Sequence, residues 1–181
     1  GSSQVKFGPH TTGGVVNYVS TPIPEDTTIY LKAIGGSFGE NTTHFHVGDK
    51  IETEYGKFGY LAEEFYRNNS GFKDIDTNAT FTDGDDTGFT KSEPMLKMSW
   101  ETSDDAPRYQ KIEGKVGYTD LDANETYLGL TESDIQNDPY RRYIGTRFDN
   151  IQTNQTRSYL SYTTEINENV LASVTGYYNK F

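Results

Sequence analysis

The chain has 181 residues, enough for one ordinary domain, and its 27 acidic residues outnumber its 16 basic residues, for a net charge of −11. This balance excludes a typical nucleic-acid-binding protein, because affinity for phosphate depends on clustered Lys and Arg. The absence of cysteine excludes disulfides, thiolate nucleophiles and cysteine-ligated metal sites. The 14 Tyr and 10 Phe argue against disorder, and with 18 Gly they indicate β-structure that has one face toward water.

Apolar and polar residues alternate in seven segments, and a period of two predicts strands. In chain order these are Thr28–Phe38, Thr42–Ile51, Phe58–Arg67, Leu96–Glu101, Lys111–Tyr118, Asn154–Glu165 and Val170–Asn179. The alternation assigns five residues to one apolar face: Ile112, Val116, Leu160, Val174 and Tyr178. It assigns five others to a polar face: Lys111, Glu113, Lys115, Arg157 and Thr175.

The connections between these strands alternate in length. Short turns are predicted at 54–57, 103–108 and 166–169, whereas long polar loops are predicted at 68–91 and 120–153. If neighbouring strands pair antiparallel, all the long loops lie at the same end of the sheet, as in outer-membrane barrels. A soluble β-sandwich is the alternative. The loops of a sandwich rarely differ so much in length between its two ends, and loops of this length in a compact domain need a functional reason. Bacterial barrels have an even number of strands and at least eight, so seven strands predict a portion of a barrel.

Three segments carry a resemblance to a known family. GSSQVKFGPHTTGGVVNYVSTPIP, residues 1–24, contains Gly8-Pro9, Gly13-Gly14, Asn17 and Pro22. It resembles the end of the plug domain in TonB-dependent outer-membrane receptors. GKFGYLAEEFY at 56–66, followed by GFK, is similar to the third strand of that family and the start of its second outer loop. NETYLGLTESDIQNDPYRRY at 124–143, followed by TRFD, is similar to the third outer loop of the ferric-citrate receptor branch.

The resemblance implies an all-β fold in which a portion of an antiparallel up-and-down transmembrane β-barrel, about seven strands, follows the C-terminal piece of a plug domain. The plug piece would be residues 1–24 and the barrel strands residues 25–181, with the segment before Pro22 on the lumen side. The chain would lie in the bacterial outer membrane, in contact with its lipid. It would belong to a transporter for a ferric siderophore or a ferric carboxylate chelate such as ferric citrate. Energy would come from the TonB complex through parts of the receptor outside this chain, and no catalysis, cofactor or nucleic-acid partner is expected.

A function of another class remains open, namely a secreted acidic β-domain that binds glycans or calcium. Such a domain would place water-facing residues on both sheet surfaces or close an apolar core between two sheets. Dependence on detergent distinguishes the two, because only a lipid-facing apolar band needs an amphiphile.

The best candidates for ligand contact are basic and aromatic residues in the second long loop. Arg141 and Arg142 are flanked by Tyr140 and Tyr143, and Arg147 follows closely. Guanidinium groups bind carboxylates in a bidentate manner, so this cluster predicts capture of an anionic ferric chelate. The competing interpretation is that the arginines neutralise three acidic neighbours, Asp134, Asp138 and Asp149.

Arg157 is a further candidate, because it falls on the polar face of its strand and hence inside a barrel. It would contact ligand in the lumen or form a salt bridge there, and we favour the salt bridge.

Two patterns suggest metal sites, and in both we favour a simpler interpretation. Asp74, Asp76, Asn78 and Asp85 are spaced like calcium ligands, but Ala79 occupies the position that needs Gly, and Asp85 the one that needs Glu. A solvated acidic loop is the better prediction.

His44 and His46 share one face of a strand and could hold a metal. The sequence indicates no third ligand, so we predict polar lumen residues and no metal site.

Overall fold

The computed structural model describes residues 19–81 and 86–181, and these form an all-β fold built on one antiparallel seven-stranded sheet. The strands of this sheet are β1 (Thr28–Gly35), β2 (Asn41–Thr53), β3 (Gly56–Asn69), β5 (Phe89–Glu101), β6 (Gln110–Ala123), β8 (Ile151–Asn167) and β9 (Val170–Lys180). Two short strands, β4 (Asp74–Ile75) and β7 (Arg141–Arg142), pair in parallel outside it. Helix α1 (Glu132–Asn137) and a 3₁₀ turn (Ile144–Thr146) complete the described elements.

Strands follow one another in the sheet in chain order, which confirms the predicted seven antiparallel strands. The described sheet is open, with β1 and β9 at its edges. Neither the closure of a barrel nor a plug domain is therefore part of the described fold. Among the described residues, no helix combines the length and the apolar character needed to cross a membrane.

The strands are longer than the sequence predicted at the end of the sheet that carries the long loops. β5 begins at Phe89 rather than Leu96, β6 continues to Ala123, and β8 begins at Ile151. The predicted loops 68–91 and 120–153 are accordingly shortened to residues 70–88 and 124–150, called the first and second long loops below. The turns at the opposite end lie where they were predicted, at 54–55, 102–109 and 168–169.

One short turn depends on glycine. Gly56, which starts β3, has a φ of 118°, a value that side-chain-bearing residues rarely adopt. A Cβ at Gly56 would also collide with the carbonyl oxygen of Glu101 on β5. The turn between β2 and β3 therefore needs glycine for both its conformation and its close contact.

The two faces of the sheet differ sharply in chemistry, as the alternation predicted. The pairing register aligns Ile112 with Tyr162 and Val174, and Val116 with Leu96, on one face. This apolar face also carries Ile29, Leu31, Phe45, Val47, Phe58, Met98, Leu160 and Tyr178. Its side chains are largely exposed, with Val174 at 73% and Leu160 at 62%.

The opposite face is polar and carries several ion pairs. Lys50 lies 2.9 Å from Glu101, and Lys111 lies 3.1 Å from Glu113. Lys91 and Glu93 form a third pair at 2.7 Å. Charges of both signs thus line one side of the sheet, whereas apolar side chains line the other.

The described end of the N-terminal segment lies against part of the polar face. Lys97 Nζ donates to the carbonyl oxygens of Thr21, at 2.5 Å, and Ser20, at 3.3 Å. Ile23 and Pro24 pack so closely that a Cβ at Gly59 or Gly48 would meet their side chains. Residues 19–24 therefore lie against the polar face of the sheet. That this face lines a barrel lumen stays a prediction. Gly8-Pro9, Gly13-Gly14 and Asn17 lie outside the described residues.

The apolar core of the described residues is very small. Only Leu61, Ile75 and Ala123 are buried hydrophobic residues there. A water-soluble domain of this length normally buries many apolar side chains in its centre. Here most large apolar side chains of the sheet are exposed instead.

Candidate ligand site between the two long loops

The two long loops are joined by the parallel pair of β4 and β7. Asp74 N donates to Tyr140 O, and Asp76 N donates to Arg142 O, both at 2.8 Å. Ile75, between the two donors, is buried. These contacts bring a part of the first loop to the arginines of the second loop, about 65 residues further along the chain.

Helix α1 positions an acidic residue against the same arginines. Its N-cap is Thr131, whose hydroxyl oxygen accepts a hydrogen bond from Asp134 N at 3.2 Å. The Thr131 hydroxyl also donates to the Asp134 carboxylate at 2.7 Å. Satisfying a free N–H in this way is the usual role of Thr at a helix start, and here it also fixes the orientation of the Asp134 carboxylate.

Arg141 is held between two carboxylates. Its Nε lies 2.9 Å from Asp76 Oδ1, its Nη2 lies 3.0 Å from Asp76 Oδ2, and its Nη1 lies 2.6 Å from Asp134. The guanidinium also stacks over Tyr143 at 5.0 Å. Most of its donors are thus used within the loops, which supports the neutralising interpretation for Asp134 and adds Asp76 as a partner.

Arg142 has a different environment, because its side chain is buried and its acceptors are neutral. Nε donates to Thr146 Oγ1 at 3.1 Å, and Nη2 donates to the carbonyl oxygens of Thr146 and Asp149, at 2.6 and 3.2 Å. Nη1 donates to Asn124 O. None of the ion pairs of the described residues includes Arg142. Its positive charge is therefore held beneath the loop surface without a paired carboxylate.

The other predicted contact residues are distributed around this centre. Tyr143 donates its hydroxyl proton to Asp134 and so belongs to the Arg141 network. Tyr140 is about half exposed and lies edge-on to Phe72, with ring centres 6.3 Å apart. Arg147 stacks over Phe148 at 4.2 Å and donates to Ile144 O at 3.1 Å.

Arg157 lies apart from the loops, on the polar face of β8. Its Nη2 donates to Thr119 Oγ1 at 2.8 Å and lies 3.5 Å from Glu93. The favoured salt bridge is present, and the structure does not bring Arg157 into the loop cluster.

Two of the four residues spaced like calcium ligands are used in contacts within the loops. Asp76 binds Arg141, and Asn78 Oδ1 accepts hydrogen bonds from the N–H groups of Thr80 and Phe81. Asp85 lies outside the described residues. The first loop therefore has fewer open oxygen ligands for calcium than its sequence suggested.

A cleft of about 290 Å³ opens between the two loops. Arg141, Arg142 and Tyr143 form one side of it, and Phe72 and Lys73 form another. Lys73 Nζ donates to Pro139 O at 3.2 Å and belongs to none of the ion pairs found in residues 19–81 and 86–181. The cleft therefore combines an aromatic ring, the acidic side chain of Glu125, and two cations, Lys73 and Arg142, that form no ion pair with any described carboxylate.

The electrostatics of the cluster follow from its hydrogen bonds. The hydrogen bond from Tyr143, assisted by Thr131 and Arg141, holds the pKa of Asp134 below its usual range. The hydrogen bond to Asp76, with the charges of Asp76 and Asp134, raises the pKa of Arg141. Both shifts favour the charged forms, so Asp134 and Arg141 are ionised at neutral pH.

Comparison of the chain with protein-family models, with curated proteins and with solved structures finds no match. The interpretation of the cleft therefore depends on its own chemistry and on the resemblance described above.

Sequence analysis missed several residues that organise the site. Lys73 was assigned no role, and Asp76 was assigned to a calcium pattern rather than to Arg141. The cap signal Thr131–Asp134 was present in the sequence, because Thr with an acidic residue three positions later often starts a helix. Glu63, which lies beside His44 and His46, had no signal of its own because only the strand register brings it there.

Proposed function

We propose that this chain is part of a TonB-dependent outer-membrane receptor that imports a ferric carboxylate chelate such as ferric citrate. It supplies a portion of the barrel wall, two outer loops that contact the chelate, and the end of the plug. The receptor is a transporter rather than an enzyme, and TonB supplies the energy through other parts of the protein.

The observation that carries this proposal is the inverted polarity of the sheet. Its apolar face is uncovered in the described structure, whereas residues 19–24 lie against part of its charged face. In water the opposite arrangement is favourable, because burial of apolar surface drives folding. A barrel wall has the observed arrangement, with lipid against the apolar face and a polar lumen inside.

The chelate would enter the cleft between the two long loops. Ferric citrate complexes are anionic and present carboxylate oxygens, so cations without paired carboxylates attract them. Lys73 supplies direct contact at the cleft, and Arg147 supplies a second cation on the loop surface. Buried Arg142 contributes its positive field, whereas Arg141 mainly holds the loops together.

Binding of ferric citrate to the intact receptor tests the ligand assignment. A charge-assisted contact contributes roughly 1.5 to 3 kcal/mol, so Lys73→Ala and Arg147→Ala should each weaken binding by about ten-fold to a hundred-fold. Two variants with the same charge change at the opposite end of the sheet, Lys57→Ala and Arg108→Ala, serve as controls and should bind normally. Normal affinity in both loop variants would contradict the assignment of the chelate to this cleft.

A further inference from the structure

The polar face of the sheet brings together two imidazoles and a carboxylate. His44 and His46 lie on β2, and the register pairs His46 with Glu63 on β3. One ligand atom from each of the three side chains lies within 4.8 Å of those of the other two. This His–His–Glu cluster is separate from the loop cleft and is used by no part of the proposed chelate site.

Two atoms of the cluster are buried and have no hydrogen-bond partner among residues 19–81 and 86–181. They are His46 Nδ1 and Glu63 Oε2. A buried polar atom without a partner costs free energy, and most such atoms in proteins are paired. Both atoms carry a lone pair available to a cation when the imidazole is neutral at that nitrogen and the carboxylate is ionised.

The third group is already oriented toward the same carboxylate. His44 Nε2 lies 2.6 Å from Glu63 Oε1, which also accepts a hydrogen bond from the Thr21 hydroxyl at 3.0 Å. The two side chains of the His44–Glu63 pair are 26% and 13% exposed, so they are largely withdrawn from solvent. The Thr21 contact also links the cluster to the N-terminal segment above the polar face.

Aromatic rings fix the imidazoles in place. Tyr30 stacks on His46 at 4.8 Å with an interplanar angle of 18°, and it lies edge-on to His44 at 5.1 Å. Phe65 contacts His44 from the other side, at 5.8 Å between ring centres. Packing of this kind limits the rotation of ligand side chains, which favours a preformed site.

We propose that His44, His46 and Glu63 form a binding site for a divalent transition metal ion of the zinc class. Two imidazoles and one carboxylate suit zinc and its neighbours, whereas calcium and magnesium prefer oxygen ligands alone. Zinc–nitrogen and zinc–oxygen bonds of about 2.0 to 2.1 Å place tetrahedral ligands about 3.3 Å apart. Because all separations in the cluster are within 4.8 Å, the widest exceeds this by at most about 1.5 Å, which small side-chain rotations can close.

Metal binding releases a proton from the cluster and leaves one coordination position of the metal open. The ion displaces any proton shared between His44 and Glu63, which is released to solvent, and the orphaned atoms of His46 and Glu63 gain a partner. Three protein ligands leave the fourth tetrahedral position for water or for a ligand from the lumen. Because Glu63 Oε1 is bonded to Thr21, an occupied site would also restrain the N-terminal segment against the wall.

The test is titration of the purified chain in detergent micelles with Zn²⁺, and separately with Co²⁺ as a spectroscopic probe. We expect one equivalent of Zn²⁺ to bind and Co²⁺ to give the visible absorption of a tetrahedral site, which an equivalent of Zn²⁺ abolishes. Ca²⁺ should produce neither effect. The unmodified chain alone decides whether the site exists. If it shows neither stoichiometric Zn²⁺ binding nor the cobalt bands, the proposal is overturned.

Variants then assign the ligands. His46→Ala and Glu63→Gln should each weaken Zn²⁺ binding by about ten-fold or more, since each removes one of three ligands. His10→Ala removes the remaining histidine of the chain, and Glu64→Gln changes the neighbouring acid on the opposite face, so both should bind as the parent does. Far-UV circular dichroism verifies the strand content of every variant compared. Equal affinity for parent, His46→Ala and Glu63→Gln would overturn the assignment to this cluster.

Discussion

Arg141 and Asp76, 65 residues apart in sequence, form a bidentate ion pair between the two long loops, with Nε–Oδ1 and Nη2–Oδ2 distances of 2.9 and 3.0 Å. The geometry uses the planar fork of the guanidinium, which lysine does not have. The same guanidinium holds Asp134 on its other edge. The pair therefore joins three parts of the two loops in one network.

Loss of this ion pair should loosen the loops without changing the sheet. We expect Arg141→Ala to increase hydrogen exchange at the amides of Asp74 and Asp76, which donate to the second loop. Arg141→Lys should restore only part of the protection. Arg108→Ala, which removes an equal charge at the opposite end of the sheet, is the matched control. Exchange in Arg141→Ala equal to that of the parent would show that the pair does not hold the loops together.

Acid should release the same network. The pKa of Asp134 is lowered in the folded loop, chiefly by Tyr143, so its ionised form adds stability above the ordinary value of 3.8. That contribution is lost as the pH falls from about 3.8 through the lowered pKa of the folded state. Exchange of the Asp134 amide, measured across this range after correction for intrinsic rates, should show increasing exposure as the pH falls. In Asp134→Asn the exposure should already be high at neutral pH and independent of pH, and an acid step that survives this substitution would contradict the assignment.

Arg142 should be less tolerant of change than its neighbour. Removal of its side chain leaves the carbonyl oxygen of Asn124 and the buried carbonyl oxygen of Thr146 without their charged donor. We expect Arg142→Ala to lower the free energy of opening of the second loop by roughly 1.5 to 3 kcal/mol. Native-state hydrogen exchange of residues 142–149 measures this quantity. A change below about 0.5 kcal/mol, the usual effect of a surface substitution, would show that these bonds contribute little.

Much of the fold could be predicted because the alternation of residues reports the two environments of the sheet. Lys115 and Val116 fall on opposite faces, as their neighbours in the sequence indicated. The sequence did not predict the ends of the strands at positions where apolar and polar residues no longer alternate. Residues 89–94 read Phe-Thr-Lys-Ser-Glu-Pro, and such a mixed segment has no apolar face even though it pairs fully with β3. Strands that continue beyond an apolar band in this way carry polar residues on both sides.

The sites were harder to predict because they depend on contacts between distant segments. Asp76 meets Arg141, and Glu63 meets His46, only through the pairing of β4 with β7 and of β2 with β3. Residue type correctly marked Arg141 and Arg142 as unusual in an acidic loop. It did not distinguish the ion-paired side chain from the buried one, because that difference is set by the helix and the 3₁₀ turn around them.

The central claim is that the apolar face of the sheet contacts lipid. Its most direct test compares the labelling rates of cysteines introduced on the two faces, with the protein in lipid vesicles. The chain has no cysteine, so a single introduced thiol reports one position alone. Lys115→Cys and Thr175→Cys lie on the polar face, whereas Val116→Cys and Val174→Cys lie on the apolar face. We expect a water-soluble maleimide to label the first two rapidly and the last two slowly, and a lipid-soluble maleimide to label all four. Equally rapid labelling of all four by the water-soluble reagent would contradict a lipid-facing barrel wall.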